Sequence, residues 1–215
     1  PDFAYHHRNE LDRTLLPNKR NDGDFRKYLL WATEQNRAWD LMFQDMVVGD
    51  ESDEFQKAAM QFVRTRAGSL DDLTNDTSIM FFGVNVSCAK CHDHPLADDW
   101  KQDHYYGMQS FFSRTFVTKS QTLAEKFYGE VKFKTTKGVE KQARFMFLNG
   151  SVAEESAKEL SADEKKKLDE EVKKLQKDDK AKPRKPDFSP RQELVKLALS
   201  EKDSPFFAKN IANRL

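Results

Sequence analysis

Apolar residues recur every three to four positions through the first half of the chain, a spacing that predicts helices with one buried side. Between residues 24 and 48 this stripe is interrupted near Asn36, so two helices are expected there. A third helix is expected over residues 53–66. Ser69 is a suitable N-cap for a fourth helix, whose stripe ends near Gly83. This last helix leads the chain to its two cysteines.

The pattern changes after the cysteines. A helix rich in aromatic residues is expected from Asp103. Residues 127–134 and 143–148 then alternate between apolar and polar side chains, and the segment "TTKG" lies between them. Because alternation with a period of two is typical of strands, these stretches predict one small β-hairpin.

Charged residues dominate the chain after the hairpin. Ser161 opens a Ser-x-x-Glu capping box at the start of a helix whose apolar seam is one residue wide, which predicts an arm rather than a core helix. The segment "KDDKAKPRKP" is expected to be a solvated linker, because proline and like charges resist packing. Ser189 before Pro190, and Ser204 before Pro205, match an N-cap followed by a first-turn proline and predict two final helices.

Composition and charge limit the partners that the chain can have. Lys plus Arg and Asp plus Glu both number 36, so no net charge draws the chain to nucleic acid or to an anionic membrane. No run approaches the roughly 18 apolar residues of a transmembrane segment. The chain opens on Pro1 without an export signal and ends in an amphipathic segment, "FFAKNIANRL", so it is expected to be part of a longer polypeptide.

The segment "SCAKCHDHP" carries the strongest chemical signal, with Cys88, two intervening residues, Cys91 and then His92. This is the spacing of c-type haem attachment. Two thiols about one turn apart can form thioethers with the two vinyl groups of a porphyrin, and the next imidazole can bind its iron. The sequence therefore predicts one covalently attached haem c with His92 as an iron ligand.

Three other interpretations of the cysteines stay open. Cys88 and Cys91 can form a dithiol redox pair, although the βαβ pattern that usually surrounds such a pair is missing. With His94 and His104 they can complete a tetrahedral zinc site. They can also be two small buried side chains without a cofactor.

The segment "MFFGVNVSCAKCHDHPLADDWKQDHYYGMQSFF" resembles the planctomycete cytochrome c-like domain family, whose members carry a similar motif followed by a Trp and an aromatic segment. Upstream, "FRKYLLWATEQNRAWDLMFQDMVVGD" resembles the paired-helix segment of that family. "SPFFAKNIANRL" resembles the opening of the domain that usually follows it. The resemblance is specific over residues 83–112, weaker over residues 25–50 and negligible over residues 151–186. It implies a secreted haem protein but no particular reaction.

The residue that would bind the iron opposite His92 is less sharply defined. Met108 lies on the aromatic helix and is the predicted second ligand, with a core position as its alternative. His94 is too close to His92 in sequence to reach the opposite face, and is expected to brace the loop. His104 is expected on the surface and Met80 in the core. An iron without a second protein ligand also stays open.

Aromatic residues after the motif are expected to form an apolar wall for the haem. They are Trp100, Tyr105, Tyr106, Phe111 and Phe112.

Together these patterns predict a mainly α fold with three parts. A cytochrome c-like helical haem domain covers residues 1–125, a β-hairpin with a charged helical arm and linker covers residues 126–188, and the start of a C-terminal partner segment covers residues 189–215. The expected function is electron transfer in the periplasm or outside the cell, with a redox partner protein or companion domain. A haem enzyme with an open iron site, and an interaction module stabilised by zinc or a disulfide, are the alternatives. The charged arm offers a surface for assembly.

Overall fold

The structure, a computed structural model, describes residues 2–16, 23–92, 100–156, 160–200 and 205–212. Over these residues the fold is mainly helical, as the sequence predicts, with small antiparallel strand pairs. The helices are α1 (Asp2–Leu15), α2 (Gly23–Glu34), α3 (Trp39–Val48), α4 (Glu54–Ala59), α5 (Gln61–Arg64), α6 (Leu70–Phe82), α7 (Gln102–Ser110), α8 (Ala162–Lys177), α9 (Pro190–Ala198) and α10 (Pro205–Ala212), with a 3-10 helix at Ser87–Lys90. The strands are β1 (Thr115–Val117), β2 (Leu123–Glu125), β3 (Lys132–Lys134), β4 (Glu140–Gln142), β5 (Phe145–Met146) and β6 (Val152–Ala153).

The predicted pair of helices over residues 24–48 is confirmed as α2 and α3. Their connection turns at Asn36, whose φ of 48° is a backbone conformation that asparagine adopts more readily than most residues. Asp45 of α3 is buried and accepts hydrogen bonds from Tyr28 Oη at 2.9 Å and from two nitrogens of Arg37 at 2.6 and 2.8 Å. A buried carboxylate therefore fixes the turn between the two helices.

The single helix predicted over residues 53–66 is two short helices, α4 and α5, which meet at Met60. Ala59, Met60, Phe62 and Val63 are all buried. These four residues cover more of a helix surface than one narrow stripe, so a bend lets the segment bury all of them.

Helix α6 begins and ends where the sequence predicts. Ser69 accepts a hydrogen bond from the Asp72 amide at 3.2 Å, and Gly83 ends the helix with a φ of 67°. On its buried side, the Phe81 ring lies 4.7 Å from that of Phe43 and 5.2 Å from that of Phe62, measured between centroids. The helix therefore runs through the main core and delivers the chain to the cysteines.

The single hairpin predicted between residues 127 and 148 is corrected to three strand pairs within the described residues. β3 pairs with β4 around the predicted "TTKG" connection. The second alternating stretch does not join that pair; it contributes β5, which pairs with β6. β1 and β2 form a further pair that was not predicted. Strands of two or three residues are too short to be recognised by alternation.

The charged arm is confirmed as α8, and its capping box forms: the Ser161 amide donates to Glu164 at 2.8 Å. Near its end, Leu175 packs with Phe116 and Ala124 in a small second core, so α8 rests on the β1–β2 pair. The following linker is exposed at most of its charged residues, as predicted, and Arg184 within it donates two hydrogen bonds to Glu171 of α8.

The C-terminal helices pack on the N-terminal ones. Ser189 caps α9 as predicted, whereas Ser204 lies outside the described residues. Leu194 of α9 and Phe207 of α10 belong to the main core cluster, and α9 and α10 contact α3 and α6 respectively. The division at residues 125 and 188 stays a prediction, and described helices on both sides of it share this core. No described helix combines the length and apolar character needed to cross a membrane.

Candidate functional site

Both cysteines lie on a short segment directly after α6, here called the cysteine turn and comprising Ser87–Lys90 with Cys91. Because a 3-10 helix has three residues per turn, Cys88 and Cys91 stand one turn apart on the same side. Both side chains are exposed and neither forms a disulfide, which excludes the interpretation of two buried cysteines. His92 follows at once and is also exposed.

The residues around the cysteines face the other way. Val86 and Ala89 are fully buried in the main core. Before them, Asn85 Oδ1 accepts hydrogen bonds from the amide and the hydroxyl of Ser87 at 3.0 and 2.6 Å, which starts the turn. Burial of Val86 and Ala89 therefore turns both thiols outward.

Lys90, the second residue between the cysteines, is held at both ends. Its Nζ lies 2.5 Å from Asp71 Oδ2 in the first turn of α6. Its carbonyl oxygen accepts hydrogen bonds from Tyr106 Oη at 3.1 Å and from Gln102 Nε2 at 3.3 Å, both on α7. Gln102 Nε2 also lies 3.4 Å from the Cys91 carbonyl oxygen. Two helices thus hold the cysteine turn from its inner side.

Asp71 is the centre of this polar contact. Besides Lys90, it accepts hydrogen bonds from Tyr105 Oη at 2.5 Å and from Gln109 Nε2 at 3.0 Å. The bonds from Lys90 and Tyr105 hold the pKa of Asp71 below its usual range, and Asp71 in turn raises the pKa of Lys90. Burial, followed by the bond to Asp71, raises the pKa of Tyr105. Asp71 and Lys90 are therefore both charged at neutral pH.

The β3–β4 hairpin lies beside the cysteine turn. The ring of Phe133 stacks on that of Tyr106 at 4.2 Å between centroids, and Gln102 Oε1 accepts a hydrogen bond from the Thr136 amide at 3.1 Å. Gln102 consequently connects the hairpin to the carbonyl groups of the cysteine turn. The sequence predicts this hairpin but not its position.

Met108, the predicted second iron ligand, is fully buried in the main core. Four residues of α7 reach Lys90, Cys91 or Asp71: Gln102, Tyr105, Tyr106 and Gln109. At 3.6 residues per turn, Met108 lies roughly 110° around the helix from the middle of that set. The iron-binding role of Met108 stays a prediction, and its alternative as a core residue describes its position in the structure.

The other predicted site residues lie in three kinds of place: in the core, at a helix cap, or outside the described residues. His104 is half-buried rather than on the surface, because its Nδ1 accepts a hydrogen bond from the Lys101 amide and so caps α7. Met80 packs against the core as predicted. His94 lies outside the described residues. Of the aromatic residues, Tyr105, Phe111 and Phe112 are fully buried, and Trp100 and Tyr106 are half-buried.

A covalent haem and a closed zinc site need different sets of donor atoms. Within the described ranges, no group of three or more His, Cys, Asp or Glu side chains is placed to hold a metal ion. The zinc interpretation needs His104, whose Nδ1 already serves the helix cap, and His94. A covalent haem needs two accessible thiols about one turn apart and an adjacent imidazole, which Cys88, Cys91 and His92 offer.

A comparison with protein families gives a match to this part of the chain. The PSCyt2 family, described as a protein of unknown function (DUF1549), matches residues 4–116, more than half of the 215 residues. The chain belongs to the PSCyt2 family. No curated protein and no solved structure matches it. The PSCyt2 segment contains the cysteine turn and both helices that hold it, and it ends within β1.

Sequence reasoning missed Asp71 and Gln102, two residues of this PSCyt2 chain that bind the cysteine turn. Neither carries a local signal, because an acidic residue in a first helical turn is common and Gln102 belongs to no motif.

Proposed function

We propose that this PSCyt2 protein is a mono-haem c-type cytochrome domain that transfers electrons, with the haem attached through Cys88 and Cys91 and its iron bound by His92. The observation that carries the proposal is the outward presentation of both thiols on one turn, directly before an exposed imidazole. The same residues support similarity to the planctomycete cytochrome c-like domain family and a cytochrome c-like character for the helical fold.

The chain contributes the attachment groups and their positions. Each thiol adds across one vinyl group, with sulfur bonding to one carbon and hydrogen to the other, so that attachment consumes no oxidant. His92 follows Cys91 directly, and the second thioether therefore fixes where its imidazole can lie. Tyr106 offers half-buried aromatic surface near the turn. A bound haem c supplies a one-electron iron centre.

The proposal includes a location and a partner. Haem attachment of this type takes place outside the cytoplasm, so we place the protein in the periplasm or outside the cell. Electron transfer requires a redox partner protein or a companion domain, and the zero net charge gives no long-range preference for an acidic or a basic one.

Intact mass measures attachment directly. Expressed in a host that attaches haem c, the chain should exceed its polypeptide mass by one haem, and acid-acetone should not extract the pigment, because thioether bonds survive where axial coordination does not. Cys88→Ala with Cys91→Ala should abolish the added mass, and Cys88→Ala alone should leave at most one thioether. A parent chain at the bare polypeptide mass would contradict the proposal.

Exposed cysteines without a disulfide also suit a second candidate function, a dithiol redox pair. In that case the chain carries no haem, and its mass falls by two hydrogens when Cys88 and Cys91 are oxidised to a disulfide.

Met108→Ala separates the two roles of that residue in the haem-loaded chain. If Met108 binds the iron, the variant loses the low-spin spectrum and its potential falls, because thioether ligation favours ferrous iron. If Met108 is only core, the spectrum is unchanged and the protein unfolds more readily.

A further inference from the structure

We propose that the ion pair between Lys90 and Asp71 is a positioning device, which fixes the cysteine turn before haem attachment and holds both thiols outward at a set separation. This inference rests on the proposed function and assigns a role to two residues that are not themselves attachment points or ligands. Asp71 and Lys90 act through the cysteines on either side of Lys90.

The first support is the way in which the turn is anchored. Its fixed points are the two residues between the cysteines: Ala89 is buried, and Lys90 is bound at its ammonium by α6 and at its carbonyl by α7. The cysteines themselves are exposed. The spacer residues, together with the Gln102 contact to the Cys91 carbonyl, are therefore points through which the separation of the two thiols is set.

The second support is the arrangement around Asp71. Tyr105 and Gln109 of α7 donate hydrogen bonds to its Oδ1, and Lys90 binds its Oδ2. The two donors from α7 orient the Asp71 carboxylate independently of Lys90. Asp71 Oδ2 is therefore an acceptor in a fixed position for the Lys90 ammonium group. The Lys90 and Asp71 side chains are each 43% exposed, and pairs so accessible to water contribute little to overall stability. The main effect of the Lys90–Asp71 ion pair is therefore local, on the turn that contains Lys90.

The chain offers a matched control pair. Lys141 Nζ lies 2.9 Å from Asp103 Oδ2, and the two side chains are 45% and 46% exposed. This pair joins β4 to α7 and makes no bond to the cysteine turn. Asp103→Asn and Asp71→Asn therefore remove the same charge from pairs of similar exposure. Only Asp71→Asn removes a contact to the cysteine turn.

The test uses the haem-free full chain and dibromobimane, a reagent that bridges two nearby thiols. After one cysteine reacts, the rate of ring closure onto the other depends on the effective concentration of the second thiol, which a preorganised turn raises. We expect Asp71→Asn to slow ring closure by about threefold to tenfold, measured relative to alkylation by monobromobimane to correct for thiol reactivity. Asp103→Asn should match the parent chain. Asp71→Glu, which keeps the carboxylate, should recover most of the lost rate.

The haem-loaded protein gives the second measurement. The fraction of chain carrying covalent haem, by intact mass, should fall in Asp71→Asn and not in Asp103→Asn. If near-ultraviolet circular dichroism indicates that Asp71→Asn does not fold, Lys90→Met removes the pair and leaves the bonds between Asp71 and α7 in place. Equal ring-closure rates in the parent chain and in the folded Asp71 or Lys90 variant would overturn the positioning role. A parent chain that never acquires haem would refute the proposed function, whereas the ring-closure rates would still report on the turn.

Discussion

At the scale of single residues, two carboxylates in this protein are each held by several donors at once. Asp71 is half-exposed and accepts hydrogen bonds from three side chains, and Asp45 is buried and accepts them from Tyr28 and Arg37. A buried carboxylate loses its water shell, and charged or polar donors offset that loss. The two carboxylates connect different parts of the fold: Asp45 joins two helices, and Asp71 joins two helices to the cysteine turn.

Tyr105→Phe tests the contribution of the α7 donor to this contact. The variant removes the hydroxyl that donates to Asp71 but keeps the fully buried ring. We expect the free energy of unfolding to fall by about 1.5 kcal/mol, the low end for a bond to a charged group, because the half-exposed Asp71 can regain water. Urea denaturation measures this change. Tyr128→Phe, whose exposed hydroxyl donates to the Lys165 carbonyl at 3.3 Å, is the control and should change little.

What the sequence predicts of the site is limited by distance along the chain. Cys88, Cys91 and His92 are recognisable because the chemistry that uses them requires adjacent positions. The contact between Lys90 and Asp71 spans 19 positions, and that between Tyr105 and Asp71 spans 34. No local pattern indicates which side chains meet after folding, so the support of the site becomes visible only in three dimensions.

At the scale of elements, capped helices are predicted well and short strands poorly. α6 and α8 carry both a cap and a periodic stripe, and both are confirmed. α1 is not predicted from the sequence; it is a strongly polar helix in which Leu15 is the one buried residue. The β1–β2 pair has three residues in each strand and gives no alternation to detect. Length and caps therefore decide which elements can be found from the sequence alone.

Gly83→Ala tests the end of the helix that delivers the chain to the cysteines. Gly83 has a φ of 67°, and an added Cβ would lie 2.9 Å from Asn210 Oδ1 of α10. We expect the free energy of unfolding to fall by at least about 1–2 kcal/mol from the left-handed backbone alone. Gly68→Ala is the control, since no heavy atom lies within 4 Å of its added Cβ. Thermal unfolding that is equal for both variants would contradict the assignment of Gly83 as an obligatory helix end.

Acid should weaken the start of α8. The hydroxyl and amide of Ser161 donate to Glu164 and hold the pKa of Glu164 below its ordinary value of 4.5. Because the pKa of Glu164 is depressed in the folded protein, the ionised carboxylate bound to Ser161 stabilises the fold above about pH 4.5. This stabilisation is lost as the pH falls through the lower folded-state pKa. The pKa of Glu164, measured from its carboxyl chemical shift against pH, should therefore be depressed in the parent chain and in Ser161→Thr. In Ser161→Ala it should lie nearer the ordinary value. An identical titration in parent and Ser161→Ala would contradict the capping box.

At the scale of the whole molecule, one core is built from distant parts of the chain. The Phe43 ring lies 4.7 Å from that of Phe81 and 5.5 Å from that of Phe207, so α3, α6 and α10 meet at one point. Arg191 of α9 also donates to the Val47 carbonyl of α3 at 2.8 Å. Periodicity predicts which side of each helix is buried, but it carries no information on which helices face each other. That is why a separate C-terminal segment could be expected from the sequence while the structure packs α9 and α10 onto the N-terminal helices.

Leu194→Ala measures whether this shared core unfolds as one unit. Leu194 on α9 is fully buried, and its truncation should lower the free energy of unfolding by about 2–5 kcal/mol. The three tryptophans, Trp31, Trp39 and Trp100, all lie before residue 125. Because the Trp100 ring lies 5.7 Å from that of Phe206 in α10, the measurement is made in a Trp100→Phe background, where the remaining fluorescence comes from Trp31 in α2 and Trp39 in α3. In a single cooperative unit, Leu194→Ala shifts the urea midpoint of that fluorescence, whereas Leu41→Ala, at a side chain that is 40% exposed, shifts it little. An unchanged midpoint in Leu194→Ala would mean that residues 189–212 unfold independently, as the predicted division of the chain requires.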